Sequence, residues 1–297
     1  MRSVSTTVSS RVLGRRLRAM RDAAGLTSGE VAATMEYSRP KLSRQEGGTH
    51  AIAPHELSHM VVQLYGPRIE RYTKDPGELQ RVLAEMEALR QRAEMGKGWW
   101  HECEGDIPLH LQTYLELETE AERIDTCSMV IPGMLQTADY ARVITGFYGI
   151  NDAVTVDQMV WLRTQRHERL RAGHPQMVDA ILIEDLLRRC AADGLIAQLN
   201  SLVEDSYLPN TRIRVLPCSA GVHPITGTYV ILTLPGNMLD PVMYLEYVGG
   251  SFIVEQESAV AATAQRHSVL PALDEEASRE FLKTLIATSR GSSLEVV

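Results

Sequence analysis

Apolar positions recur at helical spacing over 12–24, where Val12, Leu17, Met20 and Ala24 are separated by arginines. This pattern predicts an amphipathic helix that stops at Gly25. Thr27 and Glu30 stand three apart, the spacing of a capping box, and predict a second short helix through Val31-Ala32-Ala33-Thr34-Met35. Ser38 caps a third helix, with Pro40 in its first turn where a missing N–H is harmless, and Gly47-Gly48 ends it. Another helix is expected over 54–65. Gly66-Pro67 and Asp75-Pro76-Gly77 then punctuate the chain and place a domain edge near 75. Residues 78–95 carry Leu79, Val82, Leu83, Met86 and Leu89 in a narrow helical stripe, suited to packing on the C-terminal body or to pairing with its own copy.

The pattern changes after Gly96-Lys97-Gly98. Helices are expected at about 109–126, 134–146, 156–172, 184–190, 194–208, 255–268 and 275–289, and strands at 178–183, 212–216, 227–234 and 242–247. One βαβ-like pair followed by antiparallel strands predicts an α+β domain with a mixed sheet. The expected organisation is an all-α N-terminal domain at 1–75, a connector helix at 76–98 and a larger α+β domain at 99–297.

Charge sharpens that division. Residues 1–75 hold twelve Arg and Lys against seven Asp and Glu, a balance of +5, so that the net −8 of the chain leaves −13 on the remainder. A basic head on an acidic body fits a module that docks on nucleic acid, attached to a regulatory domain. No apolar run approaches the ~18 residues of a membrane span, and the first residues lack the apolar core of a signal peptide, so a cytoplasmic, nucleoid-associated chain is expected. The four cysteines are scattered without metal-finger or redox spacing and are expected to be buried thiols.

Two short helices joined by a tight turn, the second presenting Arg39, Lys41 and Arg44, have the geometry that enters a major groove. The run Gly25-Leu26-Thr27, Val31-Ala32 and Ser38-x-x-x-Leu42-Ser43-x-x-Glu46-x-Gly48 resembles the Xre/lambda-repressor family of helix-turn-helix regulators. The resemblance implies binding of double-stranded DNA, with Arg39, Pro40 and Arg44 at base edges and Ser28 and Ser38 at phosphates. It also implies a brace between Arg21 and Glu46. Ser28 departs from the glutamine frequent at that position. Arg15, Thr27, Lys41, Ser43 and His50 complete the candidate DNA-facing set. A palindromic operator with half-sites about one helical turn apart would require a homodimer.

A second resemblance covers about 99–289. It rests on Tyr114-Leu115-Glu116-Leu117-Glu118, Val130-Ile131-Pro132-Gly133-Met134-Leu135-Gln136-Thr137, Arg163-x-x-Arg166 and Leu216-Pro217-x-x-Ala220-Gly221-x-His223. These runs are similar to the actinobacterial antitoxin-like Xre regulators, including WhiJ-like developmental regulators. That similarity implies a small protein partner encoded nearby. A small-molecule effector, in a pocket near Trp99-Trp100 and the sheet, is the alternative. Arg163 and Arg166 are candidates for either site.

No catalytic group, metal or cofactor is expected. His101-x-Cys103 with His110 lacks the four closely spaced ligands of a structural zinc site. Cys218 to His223 has no nucleophile elbow around it, and neither Lys97 nor Lys283 stands in the context of a Ser–Lys dyad. A regulator rather than an enzyme is expected.

Overall fold

Leu13, Leu17 and Met20 bury one side of α1 (Val8–Ala23), and the arginines between them remain on the other. The computed structural model describes residues 8–95, 98–103, 107–147, 153–175, 177–222, 227–234, 240–247 and 250–292. Two compact units are present, one ending at Trp99 and the other beginning at Trp100.

In the first unit α1 is followed by α2 (Ser28–Thr34), α3 (Arg39–Glu46) and α4 (Pro54–Ser58), the last continuing as π-helical turns over His59–Tyr65. Leu17, Val31, Leu42, Leu57, Val61 and Tyr65 are almost wholly buried and form the core. Gly14 sets how closely α1 crosses the end of α3: a Cβ there would lie 2.5 Å from the carbonyl oxygen of Gln45 and 2.6 Å from that of Glu46. A short α5 (Glu70–Lys74) leads into α6 (Pro76–Met95).

Helix α6 corrects both the domain edge near 75 and the partner expected for its stripe. It belongs to the first unit, where it packs against α1 and buries Met86 and Leu89. Arg16 of α1 donates to Glu85 at 3.0 Å, and Leu79 sits on Gly66. Proline at its first position lets α6 begin directly after α5, so the punctuation at Asp75-Pro76-Gly77 is a helix start within one unit.

The second unit is built on a six-stranded mixed sheet. Its strands are β1 (Arg123–Ser128), β2 (Met177–Ile183), β3 (Thr211–Leu216), β4 (Tyr229–Thr233), β5 (Val242–Tyr247) and β6 (Gly250–Val254), in the order β3-β2-β1-β4-β5-β6. β1, β2 and β3 run parallel, and β4, β5 and β6 continue antiparallel. The helices are α7 (Leu109–Glu120), α8 (Ala138–Phe147), α9 (Ala153–Arg171), α10 (Glu184–Ala192), α11 (Ile196–Asp205), α12 (Glu257–Val269) and α13 (Glu275–Ser292). The α+β class with a mixed sheet is as the sequence predicts.

Two strands were hidden in the sequence. The helix expected over 109–126 ends at Glu120, and β1 follows, held by the N–H of Glu122 on the Thr233 carbonyl (2.9 Å) and that of Met177 on the Glu122 carbonyl (3.0 Å). β1 carries Asp125, Thr126 and Ser128, so it shows none of the apolar alternation that marks a strand. β6 is a half-buried edge strand of five residues.

The two faces of the sheet differ. Cys127, Ile181, Tyr229, Ile231 and Met243 pack with Val260 and Leu270 on one side. Thr126, Val230 and Tyr244 lie in register across β1, β4 and β5 on the other, beneath Tyr114 of α7, whose ring centroid is 4.5 Å from that of Tyr244.

Candidate functional site

The turn between α2 and α3 places a short exposed strip on the surface of the first unit. Thr27 and Glu30 form the capping box, with the Thr27 N–H on Glu30 at 2.8 Å, and Ser38 caps α3 by accepting from the Lys41 N–H. Leu42 and Gln45 turn inward, so Arg39, Pro40, Ser43 and Arg44 share the outward face of α3. The Arg39 guanidinium lies beside Gly29 at the start of α2, near the exposed Ser28. His50 is exposed in the loop beyond α3, and Arg15 is half-buried on α1.

A buried ion pair fixes that strip to α1. Arg21 donates through Nε and Nη2 to the two carboxylate oxygens of Glu46 at 2.6 and 3.1 Å, and through Nη1 to the Leu26 carbonyl at 3.0 Å. Its guanidinium pKa is raised, chiefly by the hydrogen bond to Glu46.

Lys41 is a correction to the groove-facing set. Its Nζ donates to Glu56 at 2.7 Å and lies 3.6 Å from the centre of the Tyr37 ring. The second Glu56 oxygen accepts from Gln45 Nε2 at 3.1 Å and from the Ala53 N–H at 3.0 Å. Burial raises the Glu56 carboxyl, but the hydrogen bonds from Lys41 and Ala53 outweigh it and hold the group at about 2. Lys41 follows the inward side of α3, adjacent to Leu42, where its stem can lie on Tyr37. Lys41→Ala is therefore expected to lower the stability of the first unit by about 1–3 kcal/mol, without changing base preference. Denaturant unfolding together with binding to operator variants checks this, and a changed base preference at unchanged stability would contradict it.

In the second unit a cavity of about 450 Å³ opens between the Thr126-Val230-Tyr244 face of the sheet and helices α7, α8 and α9. Leu111, Leu115, Ile144, Met159 and Leu162 supply much of its wall. Arg166 lies at its side, donating to both carboxylate oxygens of Glu118 at 2.8 and 2.6 Å and to the Tyr114 hydroxyl at 3.3 Å. That hydroxyl in turn donates to Glu118 at 2.7 Å, and burial drives its pKa well above the usual tyrosine range. Gly133 makes room for the guanidinium, since a Cβ there would lie 2.0 Å from Arg166 Nη1. Arg163 also lines the cavity and donates to Thr145 Oγ1 at 3.1 Å and to the Met159 carbonyl at 3.2 Å.

Trp99 and Trp100, expected near a ligand site, are not among the residues that line this cavity. Trp100 is buried, and the two residues fall in different units. Of the sequence-predicted residues only Arg163 and Arg166 line the cavity; the other wall residues were not foreseen, among them Thr126, Ser128 and Val230, on strands β1 and β4, and Gln136. Only the Pro132-to-Thr137 run signalled the last of these, and Thr137 there caps α8 by accepting from the Tyr140 N–H.

Asp125, Asp179 and His267 gather on the opposite face with ligand atoms within 4.8 Å of one another. Arg214 is bidentate on Asp179 at 2.9 and 3.0 Å, and Arg123 is bidentate on Asp125 at 3.0 and 2.6 Å. The two guanidiniums already supply the positive charge that a cation would bring, so the cluster is an ion-pair network, buried at Asp179, Arg214 and His267 and open to solvent at Arg123. Burial raises the Asp179 carboxyl, but its partners His267 and Arg214 bring it below the ordinary value.

The cysteines divide in exposure. Cys127 and Cys190 are buried, and burial pushes their thiols up to about 12 and about 11, whereas Cys103 is half-buried and Cys218 exposed. His223 and Lys97 lie outside the described residues. No described helix is long and apolar enough to cross a membrane.

The capped α2-turn-α3 unit with its outward arginines is a helix-turn-helix, and residues 12–66 match the family model described as a helix-turn-helix domain. The fold and this match define a DNA-binding regulator. Residues 111–284 match the model of a domain of unknown function, DUF5753, and the chain belongs to that family. No curated protein and no solved structure gives a significant match.

Proposed function

We propose that the chain is a sequence-specific, Xre-type transcriptional regulator of the nucleoid that binds a palindromic operator as a homodimer. Its second unit receives the signal as a small-molecule effector. On this reading the chain regulates and does not catalyse. The observation that carries the effector reading is the cavity of about 450 Å³, a size typical of small-molecule sites, lined mainly by apolar side chains with a few convergent polar groups.

Operator binding by the full chain, measured with and without small-molecule extract of the native host, tests this. An active fraction is expected to change the operator affinity by about 5- to 150-fold, the usual range of coupling between two sites. The change should vanish in Ile144→Trp, which fills the cavity. Identical affinity with every fraction would contradict the effector reading.

A second reading, antitoxin-like, gives the signal to a small protein partner. It is favoured by the stacked pair Tyr247 and Phe252, ring centroids 5.0 Å apart, which leave large apolar surface exposed on β5 and β6. Copurification of a stoichiometric small protein would support it, and recovery of the chain alone would count against it.

A further inference from the structure

We infer that β6, the open edge of the sheet, pairs antiparallel with β6 of a second copy of this chain, joining two six-stranded sheets into one; this rests on the homodimer reading above. Two observations carry the inference, one from the edges of the sheet and one from the strand itself.

The two edges of the sheet are finished differently. β3 is closed: the Leu273 N–H donates to the Val215 carbonyl at 2.8 Å, and the Val215 N–H donates to Ser278 Oγ at 2.9 Å. The segment leading into α13 thus occupies its outer side. β6 has β5 on one side, and no described strand lies on the other. Such an edge presents a row of backbone N–H and C=O groups to any strand that can reach it. With β3 covered, β6 of one copy cannot add to β3 of the next, so association through the sheet is two-fold and stops at two chains.

The strand is its own complement. The chain is net −8, yet residues 248–254, Val-Gly-Gly-Ser-Phe-Ile-Val, carry no charge and no proline, the two devices that commonly keep an exposed edge from pairing. Antiparallel pairing centred on Phe252, the middle residue of β6, sets Gly250 opposite Val254 and Ser251 opposite Ile253, with no two acids face to face. A charged foreign strand would find no counter-charge along β6, whereas an identical neutral strand needs none. Directly opposed residues lie on the same face of the sheet, so the exposed Phe252 rings of the two copies meet. Each is already stacked on its own exposed Tyr247, with centroids 5.0 Å apart, and the four rings form one apolar row across the seam.

Sedimentation of the full chain over micromolar concentrations tests this, since a short strand pair makes a small interface. The parent is expected to dimerise. Phe252→Lys sets two like charges opposite each other and should weaken the dimer at least about tenfold; the side chain is exposed, so the variant should unfold like the parent. Phe252→Cys, in a Cys218→Ser background that removes the exposed native thiol, should cross-link two chains on mild oxidation. Opposed Cα atoms of an antiparallel pair lie about 4.5–5.5 Å apart, within reach of a disulfide. If Phe252→Lys does not fold, the cross-link alone decides. A dimer unchanged in a folded Phe252→Lys, or a dimeric Phe252→Cys chain that does not cross-link, would overturn the β6 interface and leave the homodimer reading standing. A parent that is monomeric at every concentration, with and without DNA, would overturn both. A monomer that holds a foreign protein through Phe252 would overturn the inference by giving the edge to a foreign strand.

Discussion

Glu118→Ala is expected to destabilise the second unit by about 3–5 kcal/mol, the cost of leaving one partner of a buried ion pair uncompensated. Among the described residues, Arg166 would then keep its guanidinium beside Gly133 with only the Tyr114 hydroxyl as a hydrogen-bond partner, because Glu118 accepts both of its other hydrogen bonds. Tyr114 would lose its own acceptor in the same step. Over a domain of this size such a loss lowers the melting midpoint by roughly 10 °C. Denaturant unfolding followed by fluorescence reads it, since Trp161 lies on α9 with Arg166. The paired replacement Glu118→Leu with Arg166→Met removes both charges and should regain most of the loss. A single variant within about 1 kcal/mol of the parent would show that the pair adds little.

Arg21→Ala is expected to cost the first unit about 3 kcal/mol and to weaken operator binding more than binding to random DNA. Glu46 would be left at the end of α3 without either guanidinium hydrogen bond, and the Leu26 carbonyl would lose a donor where α1 passes into α2. Both effects loosen the joint that holds the outward face of α3 in one position and leave the other basic residues of the unit unchanged. Unfolding and fluorescence anisotropy on specific and scrambled duplexes measure the two losses. Equal weakening on both duplexes, at unchanged stability, would contradict the brace.

These two pairs show what a sequence discloses. Arg21 and Glu46, 25 residues apart, were legible only through the resemblance to the helix-turn-helix family, whereas the caps at Thr27 and Ser38 were legible because local hydrogen bonding decides the structure. Glu118 and Arg166 lie 48 residues apart and meet only because α7 and α9 cover one face of the sheet. The same reason hid β1. Its polar residues face a cavity and an ion-pair network, and pairing with β2 and β4 overrides the helical run that precedes it. Lys41 misled because helical position alone does not say that a long stem will fold back onto Tyr37 and Glu56. The stripe on α6 was visible, but the surface it packs on was not.

The central claim is that the outward face of α3, with Arg44 on it, reads base sequence. Selection of bound duplexes from a random pool by the full chain, repeated with Arg44→Ala, tests it most directly. The parent should enrich one palindromic motif with half-sites about one helical turn apart. Arg44→Ala should lose preference at one guanine in each half-site, a contact worth about 1–3 kcal/mol, and keep the rest. An identical motif from both proteins, or no enriched motif from the parent, would contradict the account.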